Sequence, residues 1–332
     1  MKNKRLIGTL ILFALVLIGA YVQPVLFPSQ KVASTQRVKV GVLQFTSHEA
    51  LDQIYQGIRT GLKEEGYSGK HLDLQFMNAQ GDQSRIQTMS QQLVSNQNDV
   101  LIGIATPAAQ GLASATKKIP IVMGAITDPI GAKLMTNLDK PTGNITGVSD
   151  QTPISEDIDL IQKLTPNIKT IGVLSASSED NSPSQVKRFK DEAQKKGYTV
   201  LEYSVPSTNE VATTMSVMTG RVDAIWIPID NTIASAFSTV VNAANQANIP
   251  VYPSVDTLVQ EGGLAAVSLD QYQLGVDTGK MAAKILKGQK VSDTPVERYT
   301  KGSPVVNQKV ADQLGITIPQ DVLNDAAQVI KE

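Results

Sequence analysis

The most constraining feature of this chain is an internal echo. Val40-Gly41-Val42-Leu43 returns as Ile171-Gly172-Val173-Leu174, 131 residues later, and Gly66-Tyr67 returns as Gly197-Tyr198 at the same offset. Ile119-Pro120-Ile121-Val122 returns as Ile249-Pro250-Val251-Tyr252, 130 residues on. Between them, Val100-Leu101-Ile102 after Asp99 resembles Ala224-Ile225-Trp226 after Asp223. Four matches in order at nearly constant spacing predict two lobes of one fold.

Each copy alternates short apolar runs with amphipathic stretches. In the first, 38–45 reads as a buried strand, and 48–65 as a helix with Leu51, Ile54, Tyr55, Ile58 and Leu62 on one face. Strand 72–77, helix 82–96, strand 100–105, helix 107–116, strand 119–124 and helix 130–135 follow. Strands alternating with helices imply right-handed parallel βαβ units with helices on both faces. The expected fold class is therefore α/β: two doubly wound, Rossmann-like lobes. The tail adds a strand over 263–270, a helix over 272–286, and further strand and helix in 293–332. A chain that returns in this way crosses between lobes more than once, which makes a multi-crossover hinge and a cleft that closes. The expected division is a leader and tether over 1–36, a first lobe of 37–149 plus about 270–292, and a second of 150–269 plus about 293–332.

Lys2, Lys4 and Arg5 precede residues 6–22, which carry no charge. This is the layout of a secretory signal or a signal anchor. The small-residue cleavage pattern at Ala20-Tyr21-Val22 is weak, so both an uncleaved anchor and a cleaved signal fit. Residues 23–36 read as a tether. The expected location is extracytoplasmic, associated with the cell membrane through this segment.

The chain has no cysteine and two histidines, His48 and His71. Disulfides, thiolate nucleophiles, Fe–S clusters and Cys- or His-rich metal sites are excluded, and no cofactor or metal is expected. No phosphate-binding, dinucleotide-binding or serine-nucleophile glycine motif occurs. His48-Glu49 begins like a zinc helix, but Asp52 stands where the second histidine is required. His48 reads as a helix-start residue or a cleft-lining one, and His71 as a turn residue. An enzyme is not expected. Outside the first thirty residues, 27 basic face 31 acidic residues, a balance that disfavours a nucleic-acid reader. The single tryptophan, Trp226, sits inside an apolar strand and is expected in the core.

In open α/β sheets, ligands bind beyond the carboxyl ends of the strands. Those positions hold Ser47, then Thr106-Pro107, then Thr127-Asp128 in the first copy. In the second they hold Ser178-Glu179 with Asn181-Ser182, then Asp230-Asn231, then Ser254 with Asp256. Each also suits a helix cap, which explains any one of them without a ligand. Together, hydroxyls at helix starts and several carboxylates around one cleft suit a zwitterion. The expected arrangement puts a ligand carboxylate on Thr106 and Thr127 and its ammonium on Asp230 or Asp256, with Asp128 able to exchange roles.

Several of these segments are familiar. Ala105-Thr106-Pro107-Ala108-Ala109, Ile126-Thr127-Asp128-Pro129, Asn144-Ile145-Thr146-Gly147-Val148-Ser149 and Pro228-Ile229-Asp230-Asn231 resemble a family of ABC-transporter substrate-binding proteins. So do Ile249-Pro250-Val251 and the run from Val306-Asn307 through Ala311 to Leu314-Gly315-Ile316-Thr317-Ile318-Pro319. The resemblance spans about 37–320 and departs from the usual lipoprotein pattern in lacking an anchor cysteine. It implies the type I periplasmic-binding fold with three inter-lobe crossovers. It also implies a protein that binds an amino acid, tryptophan or another aromatic one, and delivers it to permease and ATPase subunits; a monomer is expected because long uninterrupted apolar character lies before residue 23. A nucleoside or sugar ligand on the same fold is the alternative; aromatic residues are 5% of the chain and scarce at the strand ends, which weighs against sugar stacking.

Overall fold

The computed structural model describes residues 37–331; the leader, its apolar run and the tether lie outside them. The first sheet is built from β1 (Val38–Gln44), β2 (Leu72–Asn78), β3 (Val100–Ile104), β4 (Ile121–Gly124) and β5 (Ile145–Asp150). Helices α1 (Glu49–Glu64), α2 (Gln83–Ser95) and α3 (Thr106–Ala115) intervene. The second half brings α4 (Ile154–Leu164), β6 (Thr170–Ala176), α5 (Ser182–Lys195), β7 (Thr199–Val205), α6 (Val211–Met218) and β8 (Ala224–Ile227). It continues with α7 (Asn231–Ser235), α8 (Phe237–Gln246), β9 (Val251–Pro253), α9 (Asp256–Gln260) and β10 (Ala265–Ser268). The tail holds α10 (Gln271–Leu286), β11 (Glu297–Tyr299), β12 (Ser303–Asn307), α11 (Gln308–Leu314), α12 (Gln320–Asp325) and β13 (Gln328–Ile330).

The first sheet is six-stranded in the order β2-β1-β3-β4-β5-β11, and the four-stranded one runs β7-β6-β8-β9. Every pair within these two sheets is parallel. Their first four strands thus repeat one order. A third, small sheet, β10-β12-β13, extends the second lobe, with Leu264 N–H donating to Val251 O at 2.7 Å.

The sequence echo maps onto equivalent structural jobs. Gly41 and Gly172 lie on the central strands under the helix that follows the second strand of each sheet. A Cβ on Gly41 would meet Leu93 of α2, and one on Gly172 would meet Met218 of α6. Gly66 and Gly197 end α1 and α5 at φ 93° and 89°, conformations that favour glycine. Asp99 and Asp223 accept from the backbone N–H groups that open β1 and β6, at Lys39 and Lys169.

The chain passes between the sheets three times: from β5 into α4, from β10 into α10, and from β11 into β12. Two of these strands touch at the passage, where Gln151 N–H donates to Tyr299 O at 2.9 Å. The returning helix α10 packs on α1 with backbone nearly touching backbone. Cβ atoms on Gly57 and Gly61 would lie 2.1 Å from Tyr272 O and Val276 O, and one on Gly275 would lie 2.1 Å from Ile54 O. Only glycine permits this approach.

Two sequence expectations are revised. Residues 130–135 are not helical: Ala132, Lys133 and Leu134 N–H groups return to Asp128, Ile130 and Pro129 carbonyls in successive turns. Glu297–Tyr299, expected with the second lobe, is an edge strand of the first sheet. Trp226 is fully buried, stacked on Phe189 at 4.1 Å, with its indole N–H on Asp157.

Candidate functional site

Strand ends of both sheets converge on a narrow pocket, whose atom-free space is about 460 Å³ with the open solvent at its mouth included. Thr106 at the start of α3, Thr127 and Asp150 line it from the first sheet. Asn181, Asp230 and Asn231 line it from the second. Leu51, Ile54, Ala234, Val255 and Leu258 supply apolar wall. Three hydrogen bonds join the two sides: Thr46 Oγ1 with Ser235 Oγ at 3.5 Å, His48 Nε2 with Asn231 Oδ1 at 3.2 Å, and Gln110 Nε2 donating to Asp180 Oδ2 at 2.8 Å.

On the second side the carboxylates are already engaged. Asp230 is N-cap of α7; its carboxylate accepts from Ala176 N–H (2.6 Å), Ser182 Oγ (2.7 Å) and Ile233 N–H (3.0 Å). Glu179 accepts from the Asn231 side chain and from the backbone and hydroxyl of Thr232 at 2.6–2.7 Å. Burial and the neighbouring Asp230 charge push Glu179 up to about 8, and burial raises Asp230 as well. The start of α7 is therefore filled by the protein's own carboxylates.

On the first side they are not. Asp150, the last residue of β5, is 2% exposed, and its Oδ1 has no partner. Burial pushes its carboxyl up to about 7, against the pull of a hydrogen bond from Thr127. No side chain caps the start of α3. The residues leading into it and into the β4 end are held in strained backbone: Ala105 at φ 71° and Ala125 at φ 57°, both lining the cavity. Left-handed conformations cost a non-glycine residue about 1–3 kcal/mol and cluster at sites the surrounding fold over-determines.

Of the thirteen candidates from sequence, Thr106, Thr127, Asn181, Asp230 and Asn231 line the cavity. Ser47, Pro107, Asp128, Ser178, Glu179, Ser182, Ser254 and Asp256 do not. Ser47 donates to Asp52, Asp128 accepts from Gly131 N–H in a turn, and Ser254 donates to Ile227 O. Asp256 is tied to Ser268. Ser182 holds Asp230, Pro107 opens α3, and Ser178 is exposed. His48, read from sequence as a helix-start or cleft-lining residue, is both; Asp150, Gln271 and the apolar wall were not singled out from sequence. The strand-end rule reaches Asp150 once 145–150 is read as a strand.

The architecture defines a bilobed binding protein of the type I periplasmic-binding fold; two distant binding proteins, 15% and 16% identical, share that fold alone at TM-scores of 0.57 and 0.63. Residues 39–330 match the family model described as ABC transporter substrate binding protein, and the chain belongs to that family. The tyrosine-binding protein of Clostridioides difficile (strain R20291) is 36% identical, over 84% of this chain and 81% of its own. A solved domain from Streptococcus pneumonia in complex with L-Trp is 58% identical at a TM-score of 0.88, covering 89% of this chain and all of its own. CD0873 from Clostridium difficile, a substrate-binding protein with adhesive properties in a ligand-free, open structure, is 35% identical at the same coverage, with a TM-score of 0.68. Proteins of this family act outside the cytoplasm. Among the described residues no helix is long and apolar enough to cross a membrane.

Proposed function

We propose that this chain is the extracytoplasmic receptor of an importer, binding an aromatic amino acid, tryptophan or tyrosine, in the cavity between its lobes and delivering it to permease and ATPase subunits. It acts by binding rather than catalysis, as a monomer, held near the membrane by its basic, apolar leader. Residues 37–149 with the returning segment after 270 form one lobe, and 150–269 with the tail form the other. The observation that carries the reading is the buried, half-unpartnered Asp150 carboxylate in the same cavity as an uncapped helix start. A desolvated carboxylate without a cation is costly; an α-ammonium supplies one. The ligand carboxylate then takes the start of α3 beside Thr106, where helix N–H groups and dipole favour an anion. The relatives' ligands, tyrosine and L-Trp, support the amino-acid class, and the apolar wall suits an aromatic ring.

The cross-lobe hydrogen bonds support a closed state, as does the better fit to the L-Trp complex than to the open relative. Small-angle scattering of residues 37–332 should show a smaller radius of gyration with saturating ligand. Calorimetric titration with tryptophan, tyrosine and their deaminated analogues tests the reading directly. Binding of an amino acid with loss of binding for its deaminated analogue is expected. Equal binding of the two would end the zwitterion assignment.

A further inference from the structure

The cavity holds another buried acceptor without a donor, on the side opposite Asp150's lobe. Asn181 is 1% exposed; its Nδ2 donates to Ile229 O at 2.8 Å, and its Oδ1 has no partner. The bond to Ile229 O fixes the amide, because only the nitrogen end can donate there. The bare oxygen is thus held in place by the fold.

A similar argument sets the ring beside it. Asn231 Nδ2 donates to Glu179 Oε2 at 2.6 Å, so Asn231 Oδ1 must be the acceptor toward His48. His48 Nε2 therefore carries the proton. Burial lowers the pKa of the imidazole, against the pull of Asn231 and Asp52, and favours the neutral ring. Its Nδ1 is then a lone pair, buried and without a partner, on the same cavity. Away from the start of α3, an apolar wall with unpartnered acceptors is complementary to an apolar body that bears its own N–H or O–H.

We propose that Asn181 determines side-chain specificity: its amide oxygen accepts the ring N–H or O–H of the bound aromatic amino acid, so the site selects rings that carry a donor and discriminates against phenylalanine. This rests on the amino-acid reading above. A site built to hydrogen-bond a ligand donor rejects the analogue that lacks it, because its own buried acceptor is left unpaired.

The test is calorimetric titration with two matched pairs: tryptophan against 3-benzothienylalanine, in which sulfur replaces the indole N–H, and tyrosine against phenylalanine. For each pair that binds, the parent should favour the donor-bearing member by about tenfold to a hundredfold. Asn181→Leu, which keeps the volume and removes the acceptor, should bring that ratio to about one. The ratio is measured within one protein and is unaffected by a general loss of stability. The parent's two ratios need no variant at all. A parent ratio near one, or a ratio kept in Asn181→Leu, overturns the proposal and leaves the amino-acid reading standing. Failure of all four ligands to bind the folded parent removes both.

Discussion

The two lobes are built from one strand pattern but finish it differently. In the second lobe, the end of β8 is closed by the molecule itself: Asp230 and Glu179 take the free N–H groups of α7 and leave that helix start nothing to offer. In the first, α3 starts with no side-chain cap, two alanines hold left-handed backbone, and Asp150 keeps an unpartnered oxygen. One lobe spends its carboxylates on its own stability, and the other keeps one in reserve for something from outside. Similar folds thus divide the work: the first lobe supplies the charged anchor points, and the second contributes closure and the fixed amide of Asn181.

The contrast breaks most directly at the two aspartates. Asp150→Asn should weaken amino-acid binding by about 30-fold to several thousand-fold, the 2–5 kcal/mol of an unpaired desolvated charge, while urea stability at neutral pH rises, because a carboxyl that burial holds above its ordinary range destabilises the ligand-free fold. Asp230→Ala should do the reverse. Three donors lose their acceptor, costing about 3 kcal/mol of folding stability. If Asp230→Ala abolishes binding in a protein that melts like the parent, the division of roles is wrong.

The repeat itself can be stressed next. Gly61→Ala drives a methyl group against the Val276 carbonyl oxygen and should cost about 3 kcal/mol. Gly172→Ala meets the flexible end of Met218 and, at 2.9 Å, a Val222 methyl, and should cost about 1–2 kcal/mol. Equal denaturation midpoints for the two would show that α10 yields against α1.

The pH dependence follows from Asp150, whose carboxyl is pushed up to about 7. The ligand ammonium needs the ionised form. Affinity should be flat above pH 7 and fall by up to about tenfold per unit as pH drops below it. Asp150→Asn should lose that slope; a slope that survives belongs to another group.

The smallest effect is expected at exposed ion pairs such as Lys187–Asp191, where Lys187→Ala should change stability by less than about 0.5 kcal/mol.

The alternating strands and helices were legible because buried parallel strands are continuous apolar runs, as in β1, β3 and β8. The fifth strand was not. Ile145–Asp150 is buried throughout, yet only Ile145 and Val148 are apolar side chains; the rest are Thr, Gly, Ser and Asp. It is held by packing and by specific bonds: Thr146 Oγ1 donates to Thr294 O at 2.6 Å, and Gly147 admits the Met123 backbone at a distance no Cβ allows. No hydropathy pattern reports such a strand, and Asp150 was missed with it. The same blindness applied in reverse at Asp256 and Glu179, whose residue types suggested a ligand. In the fold, Ser268 and the start of α7 already occupy them.

The glycine-lined contact of α10 on α1 also sets an order in time. Leu274, Met281, Ala282 and Ile285 of α10 belong to the first lobe's core, and so does Val296 beyond it. They are synthesised only after residues 150–269, the greater part of the second lobe. A ribosome that has finished residues 37–150 has made a sheet whose helix α1 still lacks its partner. The first lobe must wait, incomplete and apolar on one face, while some 120 residues of another lobe are made. No single cut in the chain separates the lobes into two intact fragments. The first lobe thus reaches its final packing only once residues 274–296 have been made.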